Sequence, residues 1–391
     1  MNIHEYQAKA ILADYGVRLP QGGIADSPEA AEQLAEEIGG RRWVLKAQVL
    51  AGDRGPAGGV RFATSPEAVR KAAEELIGQS LVTAQTGPQG YAVRKLWVEE
   101  AIEHDRSVYV AVLVDRSRGQ VALIGARSGG EDIEERAARD PALIASVEAD
   151  PVKGFSANAL KTFATKLALE GRLAEAAAGL FLKLHKAFVE LDASLIEINP
   201  LAVTPQRELI ALDVKMAFDD NALFRHPEIA QLHDPSDGDP DEREAQRHEM
   251  NYVKLDGDIG VVVNGAGLAL ASLDMLIDAG GKAANFMDIR PEASSRQIAE
   301  GISLLLANPK VKVVLVNVYG GGLLPCDTVA DGIATALKRG ERKVPLVFRA
   351  AGSNAKLARE RLRNYGIPFL PAADMGEAVR LAVETARKEA A

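Results

Sequence analysis

The carboxyl-terminal part of the chain repeats one pattern three times: an apolar run, a turn that contains glycine, and a stretch with helical spacing. Because strands that alternate with helices are joined by crossover connections, this repeat predicts a parallel, doubly wound sheet. The apolar runs are residues 259–263, 311–318 and 344–348. The turns that follow them are residues 264–267, 320–322 and 351–354.

An acidic segment separates this repeat from the rest of the chain. Residues 234–242 read Asp-Pro-Ser-Asp-Gly-Asp-Pro-Asp-Glu, which offers almost no apolar surface to bury. At 391 residues the chain is also too long for one ordinary domain. We therefore predict a first domain over residues 1–235, an acidic linker over 236–250 and a second domain over 251–391. The first domain mixes strand-like and helical runs less regularly, which predicts an α+β fold.

Charge and cysteine content exclude several classes of function. The formal net charge of −9 argues against nucleic acid or an anionic membrane as the main partner. Cys326 is the single cysteine, so an intrachain disulfide is impossible, and a buried core thiol is favoured over a reactive thiolate. No apolar run approaches the about 18 residues of a membrane span, and the first residues do not resemble a signal peptide. We expect a protein of the bacterial cytoplasm or of an organelle matrix.

A glycine-rich stretch over residues 51–59 follows a strand-like run that contains Lys46. It is neither a P-loop nor a complete G-x-G-x-x-G motif. Its backbone N–H groups could close over phosphates, and Lys46 could contact a phosphate oxygen as a point charge. Taken alone, the stretch is equally consistent with a flexible turn.

Glu197, Asn199 and Asp213 form a second group of candidate binding residues. Hard oxygen donors of this kind suit Mg²⁺, which takes one or two carboxylates and leaves its other positions to water and phosphate. Spacing alone favours a simpler interpretation, in which residues 197–201 form a compact turn and Asp213 is a surface acid.

The turns at 264–267 and 320–322 are candidates for an anion site. Each follows a predicted parallel strand and precedes a predicted helix, where free N–H groups and the helix dipole attract phosphate or carboxylate. Tight turns without a ligand are the alternative. None of the six histidines follows a glycine-rich turn or stands at metal-ligand spacing, so we interpret them as structural or surface residues.

Several long strings resemble one known family, the β subunits of ADP-forming succinate–CoA ligases and their close relatives, the malate–CoA ligases. The similarity extends over nearly the whole chain. The strings that carry it are Met-Asn-Ile-His-Glu-Tyr-Gln-Ala-Lys at 1–9, Lys-Ala-Gln-Val at 46–49, Leu-Ile-Glu-Ile-Asn-Pro-Leu at 195–201, Asn-Ala-Leu-Phe-Arg at 221–225 and Val-Asn-Gly-Ala-Gly-Leu-Ala at 263–269. This resemblance implies an ATP-grasp domain followed by a flavodoxin-like CoA-ligase domain.

The resemblance also implies roles for particular residues. The nucleotide, ATP or ADP, would be held by Lys46, Asp53, Arg54, Gly55, Glu99 and Ser107. Mg²⁺ would be bound by Asn199 and Asp213. The site for the substrate acid would include Asn264, Gly321, Gly322 and Leu323. No catalytic residue is expected in this chain, because the family's transiently phosphorylated histidine belongs to an α-type partner subunit that also binds CoA.

The reaction implied is reversible, with ATP, a dicarboxylate and CoA giving ADP, phosphate and an acyl-CoA. In this family the subunits form heterotetramers that serve the tricarboxylic acid cycle. A malate–CoA ligase β subunit and a non-catalytic regulatory paralogue are the alternatives. The family resemblance leaves the dicarboxylate and the choice between αβ and α₂β₂ assembly open.

The sequence departs from the family pattern at a few positions. Asp53 and Pro56 stand where glycine and lysine are usual, and Ser107 stands where a glutamate is expected. Residues 290–292 are Arg-Pro-Glu instead of Gly-Gly-Gly, and the turn at 320–325 is one residue longer, with proline where arginine is typical. These changes lie mainly where the family binds its acid, so they bear on substrate identity and activity more than on fold. Residues 218–221 and 233–236 are closer to malate–CoA ligases.

Overall fold

The computed structural model describes residues 1–86, 90–130, 132–234, 239–340 and 342–389. The chain divides into two compact units, Met1–Asp237 and Gly238–Ala391. Within the predicted linker, residues 235–238 lie outside the described residues and Pro240–Arg247 is a helix, so the predicted domain limits stay a prediction. Among the described residues, no helix combines the length and the apolar character needed to cross a membrane.

The first unit begins with a helix and an antiparallel four-stranded sheet in the order β1-β6-β2-β3. Two helices that start with Ser-Pro, at Ser27 and Ser65, cover this sheet, and each serine side chain caps its helix by accepting a backbone N–H bond. The elements of this part are α1 Glu5–Asp14, β1 Gly22–Ala25, α2 Pro28–Ile38, β2 Trp43–Ala47, β3 Val60–Ala63, α3 Pro66–Leu76, β4 Ser80–Leu81, β5 Tyr91–Ala92 and β6 Leu96–Glu100.

A second antiparallel sheet completes this unit, in the order β11-β10-β7-β8-β9, with β12 also paired to β10. The buried leucine, alanine and phenylalanine residues of α6 contribute much of the core beside it. The elements are β7 Arg106–Asp115, β8 Gln120–Ala126, α4 Ile133–Arg139, β9 Ala145–Glu148, α5 Ala157–Lys166, α6 Arg172–Glu190, β10 Ala193–Val203, β11 Leu209–Ala211, β12 Val214–Phe218 and α7 Pro227–Ala230.

Residues 197–201 are part of strand β10, so the compact turn considered from spacing alone is wrong. The strand pairs with β12 as far as Ile198 and with β11 from Leu201 onward, and its register against β7 shifts between these two residues. Asn199 lies at this irregularity, where its peptide bond to Pro200 is cis. Asp213 lies in the short gap between β11 and β12. The two candidate ligands therefore meet at the same break in the sheet.

The second unit is built on a six-stranded sheet in the order β13-β15-β14-β16-β17-β18, in which β13 is an antiparallel edge and the other pairs are parallel. Buried residues of α10, α11 and α12 pack on one face and those of α9 and α13 on the other, which confirms the predicted doubly wound architecture. The elements are α8 Pro240–Arg247, β13 Asn251–Lys254, β14 Ile259–Val263, α9 Ala266–Asp278, β15 Asn285–Asp288, α10 Ser295–Ala307, β16 Val313–Gly320, α11 Cys326–Arg339, β17 Leu346–Gly352, α12 Ala355–Asn364, β18 Leu370–Pro371 and α13 Met375–Lys388.

Candidate functional site

A cleft of about 250 Å³ opens in the first unit where residues from both of its sheets come together. It is lined by the start of α1, the glycine-rich segment after β2, the start of α4 and the break between β11 and β12. The lining residues are Asn2, Ile3, Glu5, Val49, Leu50, Ala51, Gly52, Asp53, Arg54, Gly55, Val60, Gln85, Ile133, Glu134, Glu197, Asn199, Asp213, Val214 and Lys215.

Six charged side chains form a connected ionic cluster at the inner end of this cleft. Its cations are Lys9, Lys46 and Arg54, and its carboxylates are Glu5, Glu99 and Asp213. The charges balance, which removes much of the cost of holding them away from water. A phosphate oxygen can replace a carboxylate oxygen as the hydrogen-bond acceptor of these cations. The cluster can therefore exchange an internal ion pair for an ion pair with a phosphate.

Lys46 lies near the end of β2 and is almost completely buried. Its Nζ is 3.0 Å from Glu5 Oε1, 2.8 Å from Glu99 Oε1 and 2.6 Å from the carbonyl oxygen of Leu212, which occupies all three N–H donors. Burial by itself would lower the pKa of Lys46, but the carboxylates of Glu5 and Glu99 raise it above its ordinary value. Lys46 is therefore a permanent positive charge at the inner end of the cleft.

Arg54 reaches into the same cluster from the glycine-rich segment. Its Nη2 lies 2.8 Å from Glu5 Oε2 and 2.8 Å from Asp213 Oδ2, and its Nη1 donates a 3.0 Å hydrogen bond to the carbonyl oxygen of Ala47. The preceding residue, Asp53, has a φ of 58°, a left-handed conformation that glycine adopts more easily. The departure from glycine at position 53 is thus accommodated without loss of the turn.

Glu5 is the carboxylate that contacts all three cations. Oε1 lies 2.9 Å from Lys9 and 3.0 Å from Lys46, and Oε2 pairs with Arg54. Although burial opposes ionisation, Lys46, Lys9 and Arg54 together hold the pKa of Glu5 well below its usual value. For Asp213 burial has the larger effect and raises its pKa, with Arg54 opposing that rise.

Asn199 and Asp213 adjoin each other across the break in the sheet, since the backbone N–H of Asn199 donates a 3.1 Å bond to the carbonyl oxygen of Asp213. The Asn199 side chain exchanges hydrogen bonds of 2.9 and 3.1 Å with the backbone of Gly130. In the described ranges no group of three or more His, Cys, Asp or Glu side chains is placed to hold a metal ion. An amide and a carboxylate oxygen on one wall still fit Mg²⁺, which takes its other ligands from phosphate and water.

Glu197 lies on the same wall of the cleft and is the third acid proposed from spacing. Burial raises its pKa, Lys215 opposes that rise, and Glu134 and Asp213 add to it.

The structure brings most of the residues predicted for the nucleotide into this one region. Asp53, Arg54 and Gly55 line the cleft, and Lys46 and Glu99 lie directly behind it. Ser107 is not among the lining residues; it lies on β7 opposite Ala202, and its carbonyl oxygen accepts a bond from Gly129. The absence of the family's glutamate side chain at this position therefore leaves the ionic cluster intact.

Sequence reasoning missed Glu5 and Lys9. Both are buried, together with Ala8 and Leu12 on the same face of α1. The signal was available, because residues spaced by three and four lie on one helical face and two charged residues among apolar ones point to an internal ion pair.

In the second unit, the predicted substrate residues gather at the carboxyl edge of the sheet. Asn264 follows β14, and its side chain bonds the backbone of Tyr319 through Nδ2 to the carbonyl oxygen at 2.8 Å and through Oδ1 to the N–H at 2.8 Å. Gly321 and Gly322 face open space, and Leu323 is 72% exposed. This edge is where open α/β sheets bind ligands.

The surroundings of Cys326 and of the histidines indicate structural roles. Cys326 begins α11, is fully buried, and has a pKa raised by that burial, as expected for a core thiol. His4 pairs with Asp234, and His226 pairs with Asp192. No histidine is found among the described residues that line the cleft.

These features define a class of protein in which an α+β unit with a charged cleft precedes a doubly wound unit. A family model of the ATP-grasp domain matches residues 2–203, and one of the CoA-ligase domain matches residues 262–383. Curated relatives named succinate–CoA ligase [ADP-forming] subunit beta are 43% identical in Paramagnetospirillum magneticum and 44% identical in Parvibaculum lavamentivorans, each over 100% of both chains. The chain belongs to the family of β subunits of ADP-forming succinate–CoA ligases.

A solved structure shows the same fold at greater evolutionary distance. The ATP citrate lyase of Methanothrix soehngenii, in complex with citrate and coenzyme A, aligns with a TM-score of 0.75 at 19% identity. The alignment covers 98% of this chain and 99% of that one. At this level of identity the match describes architecture only.

Proposed function

We propose that the chain is the nucleotide-binding subunit of an enzyme that converts ATP, a dicarboxylate and CoA into ADP, phosphate and an acyl-CoA, and that succinate is the acid. The observation that carries the proposal is the cleft in the ATP-grasp unit, with Lys46 and Arg54 at its inner end. Full-length relatives that bear the succinate–CoA ligase name support the choice of acid and of CoA.

In this proposal the chain binds and orients the nucleotide. Lys46 and Arg54 neutralise phosphate oxygens, and the N–H groups of Asp53 and Gly55 contribute further donors from the glycine-rich turn. Glu99 holds the Lys46 side chain in place through their ion pair. Ser107, the remaining residue predicted for the nucleotide, lies on β7 of the same unit. Asn199 and Asp213 hold Mg²⁺, which supplies charge neutralisation when it accompanies the nucleotide. Phosphoryl transfer depends mainly on such positioning and charge.

The acid site is proposed at the carboxyl edge of the second sheet. Asn264 and the turn with Gly321, Gly322 and Leu323 lie there, and the Asn264 side chain holds the backbone of Tyr319 in place beside that turn. An α-type subunit would bring CoA and the histidine that carries the phosphoryl group. We place the assembly in the bacterial cytoplasm or an organelle matrix.

Malate is the second candidate acid, and the exposed Arg290 favours it. Arg290 follows β15 at the same carboxyl edge, where the family usually has glycine. A guanidinium group there adds donors for the hydroxyl oxygen of a hydroxylated acid, an acceptor that succinate lacks.

The test is a reconstitution with an α-type subunit encoded beside this chain. ADP formation is followed in a coupled assay with CoA and, in turn, succinate, malate or citrate, while Mg²⁺-ATP binding to the chain alone is measured by calorimetry. We expect nucleotide binding by the chain and succinate-dependent turnover by the pair. Nucleotide binding without turnover on any of the acids would indicate a regulatory paralogue.

A further inference from the structure

The guanidinium group of Arg54 is held by two carboxylates with very different surroundings. The Glu5 side chain is 2% exposed, whereas the Asp213 side chain is 34% exposed and faces the cleft. Both Asp213 oxygens accept from Nη2, at 2.8 and 3.0 Å. Both carboxylates line the cleft together with Arg54, but only the Asp213 side chain has a large exposed fraction.

The carboxylate of Asp213 is the proposed Mg²⁺ ligand, and in this structure Arg54 occupies it. A divalent cation and a guanidinium compete for the same carboxylate oxygens, because bringing the two positive charges together is unfavourable. Lys46 is also fully bonded. A nucleotide phosphate and a cation must therefore each replace contacts that the cluster already makes.

We propose that nucleotide phosphate takes Arg54 away from Asp213 and so frees Asp213 for the divalent cation, while Glu5 stays in place as a positioning residue for Arg54 and Lys46. The proposal rests on the proposed nucleotide function. Nucleotide and cation then bind to the ATP-grasp site cooperatively, because the Arg54 side chain exchanges Asp213 for phosphate as its partner.

Asp213 is the partner that leaves, because the alternative is costly. Arg54 is the cation paired with Glu5 Oε2, and the Glu5 side chain is 2% exposed, so releasing Glu5 would leave a buried carboxylate oxygen without its charged partner, which is destabilising. Asp213 sits at the edge of the cleft in the gap between β11 and β12, where water and a cation can compensate its charge.

The exchange predicts two effects of a single substitution, one on metal-free ATP binding and one on its Mg²⁺ dependence. In Asp213→Asn, Arg54 has lost the competing carboxylate, so metal-free ATP should bind about tenfold more tightly, the factor that corresponds to about 1.4 kcal/mol. Added Mg²⁺ should then improve the affinity much less than it does in the parent. The measurement is calorimetry with ATP in EDTA and with ATP in excess Mg²⁺, which gives the factor by which Mg²⁺ changes the dissociation constant.

Glu5→Gln is the matched control, because it also removes one negative charge bound to Arg54. A general electrostatic effect would alter the Mg²⁺ factor equally in both variants. The exchange predicts that Glu5→Gln keeps the Mg²⁺ factor of the parent, whatever its absolute affinity. Circular dichroism checks the fold. If Glu5→Gln does not fold, Asp192→Asn replaces it as a control, since it removes a carboxylate bound to Arg225 and His226.

A second readout needs no nucleotide. Mn²⁺ titrated alone and followed by electron paramagnetic resonance should bind Arg54→Gln more tightly than the parent, because the guanidinium no longer covers Asp213. An unchanged Mg²⁺ factor in Asp213→Asn, an equal loss of that factor in Glu5→Gln, or equal Mn²⁺ affinity would overturn the exchange. A parent chain that binds no Mg²⁺-ATP would instead refute the proposed function.

Discussion

The buried ammonium group of Lys46 keeps its positive charge and a fixed orientation. Three oxygen atoms surround its Nζ, two of them from carboxylates, so its charge is retained despite burial. The same contacts hold the side chain in one orientation. A phosphate that replaces the Leu212 carbonyl oxygen would meet a cation that is already positioned, which lowers the cost of binding.

At Lys46 we predict that Lys46→Ala weakens Mg²⁺-ATP binding. A phosphate would lose a charged hydrogen-bond donor worth roughly 1.5–3 kcal/mol, which corresponds to a tenfold to hundredfold change in affinity. Calorimetry on the purified chain measures it. Lys183→Ala is the control, since Lys183 bonds only the Gly16 carbonyl oxygen in the described contacts and lies outside the cleft. Equal affinities for parent and Lys46→Ala would rule out Lys46 as a phosphate ligand.

The sequence predicted which polar residues to consider but not how they pair. Arg54 and Asp213 stand 159 positions apart, and no periodicity relates them. Their contact depends on the break between β11 and β12, which only the three-dimensional pairing of β10 determines. The helical spacing of α1 indicates that Glu5 and Lys9 are internal, but it does not give their partners, which become visible only when α1 is packed against β6 and β2 through Glu99 and Lys46.

Among the elements, the strand–turn–helix repeat was the most predictable part of the fold. Its strands are buried on both faces and read as continuous apolar runs, so the sequence pattern alone identifies them. Residues 197–201 were harder, because Asn-Pro is typical of turns while β10 continues through it by pairing with two different strands. At these residues the pairing of β10 with its neighbouring strands outweighs the local preference of Asn-Pro for a turn.

The ends of β16 and β17 approach each other closely, and this contact requires glycine. A Cβ on Gly320 would lie 2.4 Å from the carbonyl oxygen of Ser353 and 2.9 Å from Cys326 Sγ. We predict that Gly320→Ala destabilises the protein by about 1–3 kcal/mol, since neighbouring backbone must move. Gly321→Ala is the control, because nothing lies within 4 Å of its Cβ. Chemical denaturation of both variants measures the difference, and equal unfolding free energies would contradict the prediction.

The turn after β15 gives a prediction about acid selection. Arg290 is exposed at the carboxyl edge that also carries Asn264, and Asp288 at the end of β15 accepts a 2.5 Å bond from the N–H of Gly265. We predict that Arg290→Gly changes the ratio of kcat/KM for malate and succinate in the reconstituted pair, toward succinate, because a donor for the hydroxyl group is lost. Glu292→Gly, in the same exposed turn, is the control. An unchanged ratio would show that this turn does not select the acid.

At the scale of the whole molecule, the two candidate ligand sites lie on two separate units. The first unit has the ionic cluster and the cleft, and the second has the carboxyl edge of a parallel sheet. The order of the two folds was predictable from the family resemblance together with the repeat, and the family models confirm it. The boundary between the two units was harder to predict from sequence, because residues of the predicted linker form α8. The start of this helix is capped by the Asp239 side chain.

We finally predict that the purified chain binds Mg²⁺-ATP but forms no acyl-CoA by itself. In the proposed function a phosphohistidine of the partner carries the phosphoryl group from nucleotide to acid, and the histidines and the thiol in the described part of this chain are not placed for that role. All six histidines are described; His4 and His226 are paired with acids, none lines the cleft, and the Cys326 thiol is buried. The assay measures thioester formation by this chain, by the α-type subunit and by their mixture, with ATP, CoA and succinate at equal concentrations throughout. Turnover should require both proteins, because the proposed partner would supply the phosphohistidine and the CoA site; sustained thioester formation by the single chain would show that no partner is needed.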